Sequence, residues 1–438
     1  MKPRTHGSTI TLYLATSAHA PAPLLTTQGQ TLEIIDPGLH NRNAGPDFLN
    51  ARIKIGDTLW VGSVELHTRS SDWQRHRHHL DPAYNNVILH VAEQIDAPVL
   101  TEAGQELPQL QLDVPEYVRD NYRQLTQAPG YPPCAHILPR VSGLTCHSWL
   151  SALTTERLEQ KTQRISQWLH HTTGDWERVC FISLARSFGF GTNADTFEEW
   201  ATGFPLHDAG KHRDNPFQIE ALFFGQAGLL DPDAMSEKRR REALADDYFN
   251  RLREEYRFLA HKFSLTPIDG RRWKYMRMRP QNAPHIRLAQ FMDIYLQDTA
   301  SFSQLMAAGT VEEMRQCLSA STRGYWLTHY HFGAATEPVS KRLRPETINL
   351  LLINALAPLL FAYGRYRLNE KLCERAFNLL EQLPPESNHV VKAWHEGGLK
   401  AQNAADSQAL LQLQQAYCQP KDCLRCRFGY EYLRHPKP

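Results

Sequence analysis

The apolar residues of this chain repeat with two different periods, and the change falls between residues 112 and 145. Before it the pattern is that of strands, and after it that of helices. Phe48–Ile55 (FLNARIKI) alternates, with Leu49, Ala51, Ile53 and Ile55 on one face and Asn50, Arg52 and Lys54 on the other. Gly56-Asp57 supplies a turn and Leu59–Thr68 returns, so a β-hairpin is expected. Thr31–Ile35 adds a short β-branched strand. Asn86–Ala92 (NVILHVA) is apolar on both faces, as a central strand is. Between them, Ser70 or Ser71 can cap a short helix within Ser70–Asn85.

From residue 145 the apolar positions recur at helical spacing. Helices are expected over Trp149–His170, Trp176–Phe188, Phe217–Leu229, Arg239–Lys262, Ile286–Gln297, Val311–Leu318, Pro345–Tyr363, Glu370–Gln382 and Asp406–Tyr417. The Pro-rich strip Ala128–Pro139 marks a linker. The expected fold class is α+β. An N-terminal mixed α/β unit spans residues 8–127, a linker 128–144, a large all-α domain 145–417 and a Cys-rich C-terminal tail 418–438. The greasiest stretch, Ile348–Tyr363, carries two Asn and a Pro and falls short of a membrane span. A buried helix, kinked or ended near Pro358, is the reading, and no membrane partner is expected. The first twenty residues lack the continuous apolar stretch of a signal peptide. Eight Cys in 438 residues are too dilute for a disulfide scaffold. A reducing, cytoplasmic setting is therefore expected.

Lys and Arg number 48 and Asp and Glu 47, which leaves +1. Any surface for nucleic acid must then be a local patch. Arg271–Pro280 (RRWKYMRMRP) offers one, because Arg271, Arg272 and Lys274 are interleaved with Trp273 and Tyr275. That mixture suits phosphate contact with base stacking, and an extended backbone would line the cations along one face. Glu237–Glu242 (EKRRRE) is balanced by its own acids and reads as a solvated face.

The chemistry concentrates in the hairpin. Asp47 opens its first strand and Glu65 lies late in its second. Alternation puts Glu65 and His67 on one face, and Trp60, Gly62, Val64 and Leu66 on the other, packed on a helix. Two carboxylates brought together this way can hold Mg²⁺ or Mn²⁺ through oxygen, with His67 orienting or deprotonating water. Just downstream lie His76, His78, His79 and Asp81, then His90. His76 and His79 stand three apart and could share a helix face. With His67 and Asp81 they could bind Zn²⁺ or Mn²⁺. In the tail, Cys418-x4-Cys423-x2-Cys426 has the spacing of a thiolate knuckle for zinc or a 4Fe–4S cluster. A closed site wants a fourth thiolate. Cys180, Cys317 and Cys373 fall inside helices, so the choice is between Cys134 in the linker and Cys146, with Cys134 preferred because a loop delivers it.

Pro46-Asp47 at a strand start, followed by Glu65-Leu66-His67 on the next strand, resembles the motif of the PD-(D/E)xK nuclease superfamily over residues 30–95. The departure is His67 where that motif has Lys, which leaves the third catalytic role open. The resemblance implies a metal-dependent nuclease acting on phosphodiesters, with Asp47 and Glu65 as metal ligands and nucleic acid as partner. Some members carry an iron–sulfur staple of one distant and three clustered Cys. Two alternatives stay open: a non-catalytic nucleic-acid or protein-binding module on the same fold, and a His-ligated metal hydrolase. Further strings, among them Gln218–Leu230, Arg279–Gln290, Tyr325–Phe332 and Asp406–Cys426, resemble over nearly the full length an uncharacterised bacterial family known only as domain of unknown function 2851.

Overall fold

In the computed structural model, residues 24–41, 44–276 and 278–434 are described. The expected strand content before residue 24 lies outside them. The chain divides into two compact units. Among the described residues, the first gathers those within 24–149, 392–400 and 413–434, and the second those within 150–391 and 401–412. The cysteine-bearing tail thus belongs to the same unit as the sheet.

The first unit is built on a seven-stranded mixed sheet: β1 (Leu24–Leu25), β2 (Thr31–Asp36), β3 (Leu39–His40), β4 (Phe48–Ile55), β5 (Thr58–Arg69), β6 (Val87–Gln94) and β7 (Gln109–Gln111). The order is β1-β2-β4-β5-β6-β7, with β3 paired to β4. β2, β4 and β5 run antiparallel, whereas β5–β6 and β6–β7 are parallel. The expected hairpin closes at Ile55↔Thr58, with Gly56 in the left-handed region (φ 57°). The apolar strand is central as expected: Leu89, Val91 and Ala92 have no exposure.

One face assignment is corrected. Asn50 adopts φ 57° and the register slips between Phe48 and Ala51, a bulge that seats two residues against one. Phe48, not Leu49, therefore joins Ala51, Ile53 and Ile55 in the core. Trp60, expected against a helix, is 45% exposed. A parallel β5–β6 pair needs a crossover, and Ser70–Asn85 provides it as the helix Asp72–Arg75 and two 3-10 turns, His78–Leu80 and Pro82–Tyr84. Trp73 anchors it: the ring is buried, and its indole N–H donates to the Leu100 carbonyl at 3.0 Å.

The second unit is helical. Trp176–Phe188 and Glu370–Gln382 form over the expected residues. The single helix expected over Arg239–Lys262 is two, Glu237–Leu244 and Asp247–Phe263. The break has a local cause, since the Asp246 carboxylate caps the second by accepting from the Tyr248 N–H at 2.9 Å. The apolar helix Pro345–Tyr366 runs through Pro358. A π turn at Leu352–Leu356 precedes that proline, widening the ladder where Pro358 has no N–H to give. By length and composition this helix could cross a membrane, yet 78% of its apolar window is buried inside the unit. It is the core helix that its Asn and Pro residues indicated.

Candidate functional site

The loop before β4 is tied by Asn41, whose side-chain amide donates to the carbonyls of Ala44 and Pro46 at 3.1 and 3.0 Å. It delivers Asp47 opposite the end of β5. There the two acids are cross-linked through backbone: the Asp47 N–H donates to Glu65 Oε2 at 3.1 Å, and the Leu66 N–H donates to Asp47 Oδ2 at 3.0 Å. The other Glu65 oxygen, Oε1, lies 3.4 Å from His78 Nε2 and 3.6 Å from His67 Nε2. His67 Nε2 is 3.2 Å from His76 Nδ1, and His67 Nδ1 is 2.9 Å from His90 Nε2. One ligand atom each from His67, His76 and His78 lies within 4.8 Å of the others. Glu65 and His67 are buried, and His90, paired with Glu65 across β5–β6, is fully so.

His76 and His79 do not share a face, as a continuing helix would have required. The helix ends at Arg75, and Arg77 is left-handed (φ 65°). That residue reverses the chain, so His78 turns inward to stack on Tyr84 at 3.9 Å between ring centroids. His79 stays outside the group of three. Asp81 caps a 3-10 turn instead, accepting from the Ala83 N–H at 3.0 Å. The run His76-Arg77-His78-His79 has no periodicity that distinguishes His78 from His79. Only the backbone at Arg77 does.

Burial sets the protonation states. It drives His67 down to about 2, helped by His90, His78, His76 and Arg75. It drives His90 down to about 4. Asp47 is pushed up to about 6 by burial, against the Leu66 N–H that favours its anion. Tyr84 is raised by burial and by the Glu65, Asp47 and Asp81 carboxylates. His67 and His90 are therefore neutral at pH 7, with lone pairs to offer, and the site presents imidazole nitrogens beside a carboxylate oxygen. That donor set fits Zn²⁺ or Mn²⁺ better than Mg²⁺, which takes oxygen ligands. His90 is placed to fix the ring orientation and tautomer of His67 from behind.

The basic strip lies in the second unit. It opens as a 3-10 turn, Gly270–Arg272, rather than an extended strand. Arg271 pairs with Asp269 at 3.0 Å, and Arg272 pairs with Glu199. Lys274 is exposed. Trp273 offers no face for stacking. It is 4% exposed and its indole N–H donates to the Ala227 carbonyl at 2.7 Å, making it a core residue. The Glu237–Glu242 patch is a solvated helix face with internal ion pairs.

The four cysteines singled out lie in the first unit, with Cys426, Cys418 and Cys423 each near enough to act on Cys134. Cys134 precedes the 3-10 turn Ala135–Arg140, Cys418 ends a π turn, and Cys423 and Cys426 lead into the helix Arg427–Arg434. His136 and Tyr432 bring the two segments together, with ring centroids 4.8 Å apart. Gly429 permits a close return, because a Cβ there would meet the Cys423 carbonyl oxygen at 2.0 Å. Cys134, Cys423 and Cys426 are buried and all four are free thiols. Burial raises Cys134 well above its usual range, and Cys426, Cys418 and Cys423 add to the rise. Opposing backbone N–H donors at Cys426 come from Gly429 and Phe428. Cys146 is raised by burial alone.

A family described as Protein of unknown function (DUF2851) matches residues 16–389. The chain belongs to this family. The DUF2851 match includes Asp47, Glu65, the histidines and Cys134, and ends before Cys418. No curated protein and no solved structure matches the chain.

Proposed function

We propose that this DUF2851 protein is a metal-dependent hydrolase of phosphodiesters, a nuclease-like enzyme whose centre is Asp47, Glu65 and His67 completed by His76 and His78. The observation that carries the reading is the meeting of Glu65 Oε1 with the Nε2 atoms of His67 and His78, beside Asp47 on the neighbouring strand. Both strands of the PD-(D/E)xK-like motif are adjacent in the sheet, in keeping with that resemblance. Glu65, His67, His76 and His78 would hold Mn²⁺ or Zn²⁺, a preference that the imidazoles add to the carboxylate pair. Such a cation supplies Lewis-acid activation of water and charge for a phosphoryl transition state. Asp47, with its carboxyl near 6, is suited to moving a proton near neutral pH. His67 is a ligand in this reading rather than a base, since burial holds its pKa far below neutrality. The test is cleavage of single-stranded, double-stranded and branched DNA and RNA with Mn²⁺ or Zn²⁺. Activity lost in Asp47→Ala and Glu65→Ala supports it, and a wild type that cuts nothing sinks it. Salt-dependent binding without cleavage would point instead to a non-catalytic module.

We propose that Cys134, Cys418, Cys423 and Cys426 ligate zinc or a 4Fe–4S cluster, which would stabilise the first unit. Elemental and sulfide analysis of anaerobically purified protein separates the two. Cys423→Ser should lose the metal and melt earlier. Metal-free wild type with a Cys423→Ser melting temperature equal to its own would overturn the site.

A further inference from the structure

The second unit contains a cavity of about 970 Å³ whose wall carries five cations, Arg279, Arg287, Lys341, Arg342 and Arg344, against one carboxylate, Glu346. Two of these cations are not surface groups: Lys341 is 2% exposed and Arg287 8%. Their hydrogen-bond partners are neutral. Arg287 donates to the side-chain oxygens of Gln290 at 3.0 Å and Asn282 at 2.6 Å. Its guanidinium lies 4.4 Å from the Phe190 ring centroid, and its buried Nε has no hydrogen-bond partner. Lys341 Nζ donates to the carbonyls of Trp326 at 2.6 Å and Leu327 at 2.9 Å, and lies 4.4 Å from the Tyr330 ring centroid. Burying a cation without a counter-charge is costly, and burial accordingly pulls Arg287 down to about 10. An anion entering the cavity would remove that cost.

We infer that this cavity binds a phosphorylated small molecule of nucleotide size, with Arg287 and Lys341 on its inner wall and the exposed Arg279, Arg342 and Arg344 nearer solvent. The five-to-one charge ratio exceeds what a monocarboxylate needs and suits a multiply charged phosphate. Guanidinium groups match phosphate oxygens in pairs. The volume is at the upper end of the ~300–1,000 Å³ of small-molecule sites, which leaves room for an organic body beside the phosphates. Two strings that carry the family resemblance, Arg279–Gln290 and Tyr325–Phe332, contribute Arg287 and Tyr330. The site lies within the second unit and is argued independently of the hydrolase centre in the first.

Calorimetry on the full chain with inorganic pyrophosphate and, separately, ADP tests it. One saturable site, weakened by salt, is expected. Arg287→Met and Lys341→Met should weaken binding by about tenfold or more and abolish the rise in melting temperature that pyrophosphate gives the wild type. Should either variant misfold by circular dichroism, the exposed Arg344→Gln carries the test, with the same direction of loss. Failure of both probes to saturate, or variants that bind as the wild type does, would overturn the assignment. So would binding of a single-stranded oligonucleotide with neither small probe engaging.

Discussion

Gly62→Ala tests whether the β5–β6 seam holds the metal centre together. A Cβ at Gly62 would stand 2.4 Å from Ile88 Cγ2 and 2.5 Å from the Asn86 carbonyl oxygen. The isoleucine methyl can swing aside. The carbonyl is backbone and accepts the Ser63 N–H at 2.9 Å, so β6 itself must retreat. Reaching ordinary contact at 3.4 Å means opening the seam by about 0.9 Å. Overpacking of this kind costs about 1–3 kcal/mol, and the weakened Ser63–Asn86 bond adds about 1 kcal/mol. A domain of this size loses ~2–4 °C per kcal/mol, so Tm should fall by roughly 4–16 °C. The seam also sets the 2.9 Å contact between His67 and His90, which a shift of this size would break. Loss of such a supporting contact costs about 10–100-fold in metal affinity. Thermal unfolding and Mn²⁺ calorimetry read both effects. Gly203→Ala is the control, because a Cβ there meets nothing within 4 Å, and it should leave both readouts unchanged. A Gly62→Ala protein with wild-type Tm and wild-type Mn²⁺ affinity would refute the reasoning.

Three further outcomes are expected. His78→Ala should weaken Mn²⁺ or Zn²⁺ binding by about tenfold or more while His79→Ala leaves it intact; equal effects in calorimetry would contradict the role given to the Arg77 turn. The metal-free protein should lose stability as pH falls below 6.5, because His67 and His90 resist protons in the folded state that the unfolded chain accepts. Asp47 acts in the opposite sense between 3.8 and about 6, where the folded carboxyl keeps a proton that the unfolded one gives up. The three groups together leave a net loss on the order of 4 kcal/mol between pH 7 and about pH 4, which urea midpoints measure; a flat profile would contradict it. Trp273→Ala should cost about 3–5 kcal/mol of stability, since the ring is core, and a variant of unchanged Tm would return Trp273 to the surface.

What was legible in the sequence follows side-chain period. The hairpin and the central strand could be read because alternation along two strands joined by Gly56-Asp57 fixes which residues meet; the meeting of Asp47 with Glu65 could not, since the unbroken register would set Asp47 opposite Leu66 and only the bulge at Asn50 shifts Phe48 onto Val64. Single backbone residues escaped that logic. The left-handed Asn50 moved Phe48 into the core in place of Leu49, and the left-handed Arg77 chose His78 over His79. Neither residue type demands such a conformation, so no local pattern announces it. Asp246 is a capping residue inside an otherwise unbroken helical pattern, a signal present in the sequence but outvoted by period. Trp273 looked like a stacking platform because its neighbours are cations; its burial comes from packing partners far along the chain, such as Phe197 at 4.8 Å between ring centroids. The neutral surroundings of Arg287 and Lys341 are tertiary in the same way.

The most direct test of the metal centre is anomalous diffraction from a crystal of the protein grown with Mn²⁺ or Zn²⁺. The account predicts a peak bonded to a Glu65 carboxylate oxygen and to nitrogens of at least two of His67, His76 and His78, at about 2.0–2.2 Å. No peak there, or a peak whose ligands exclude Glu65 and His67, would contradict it.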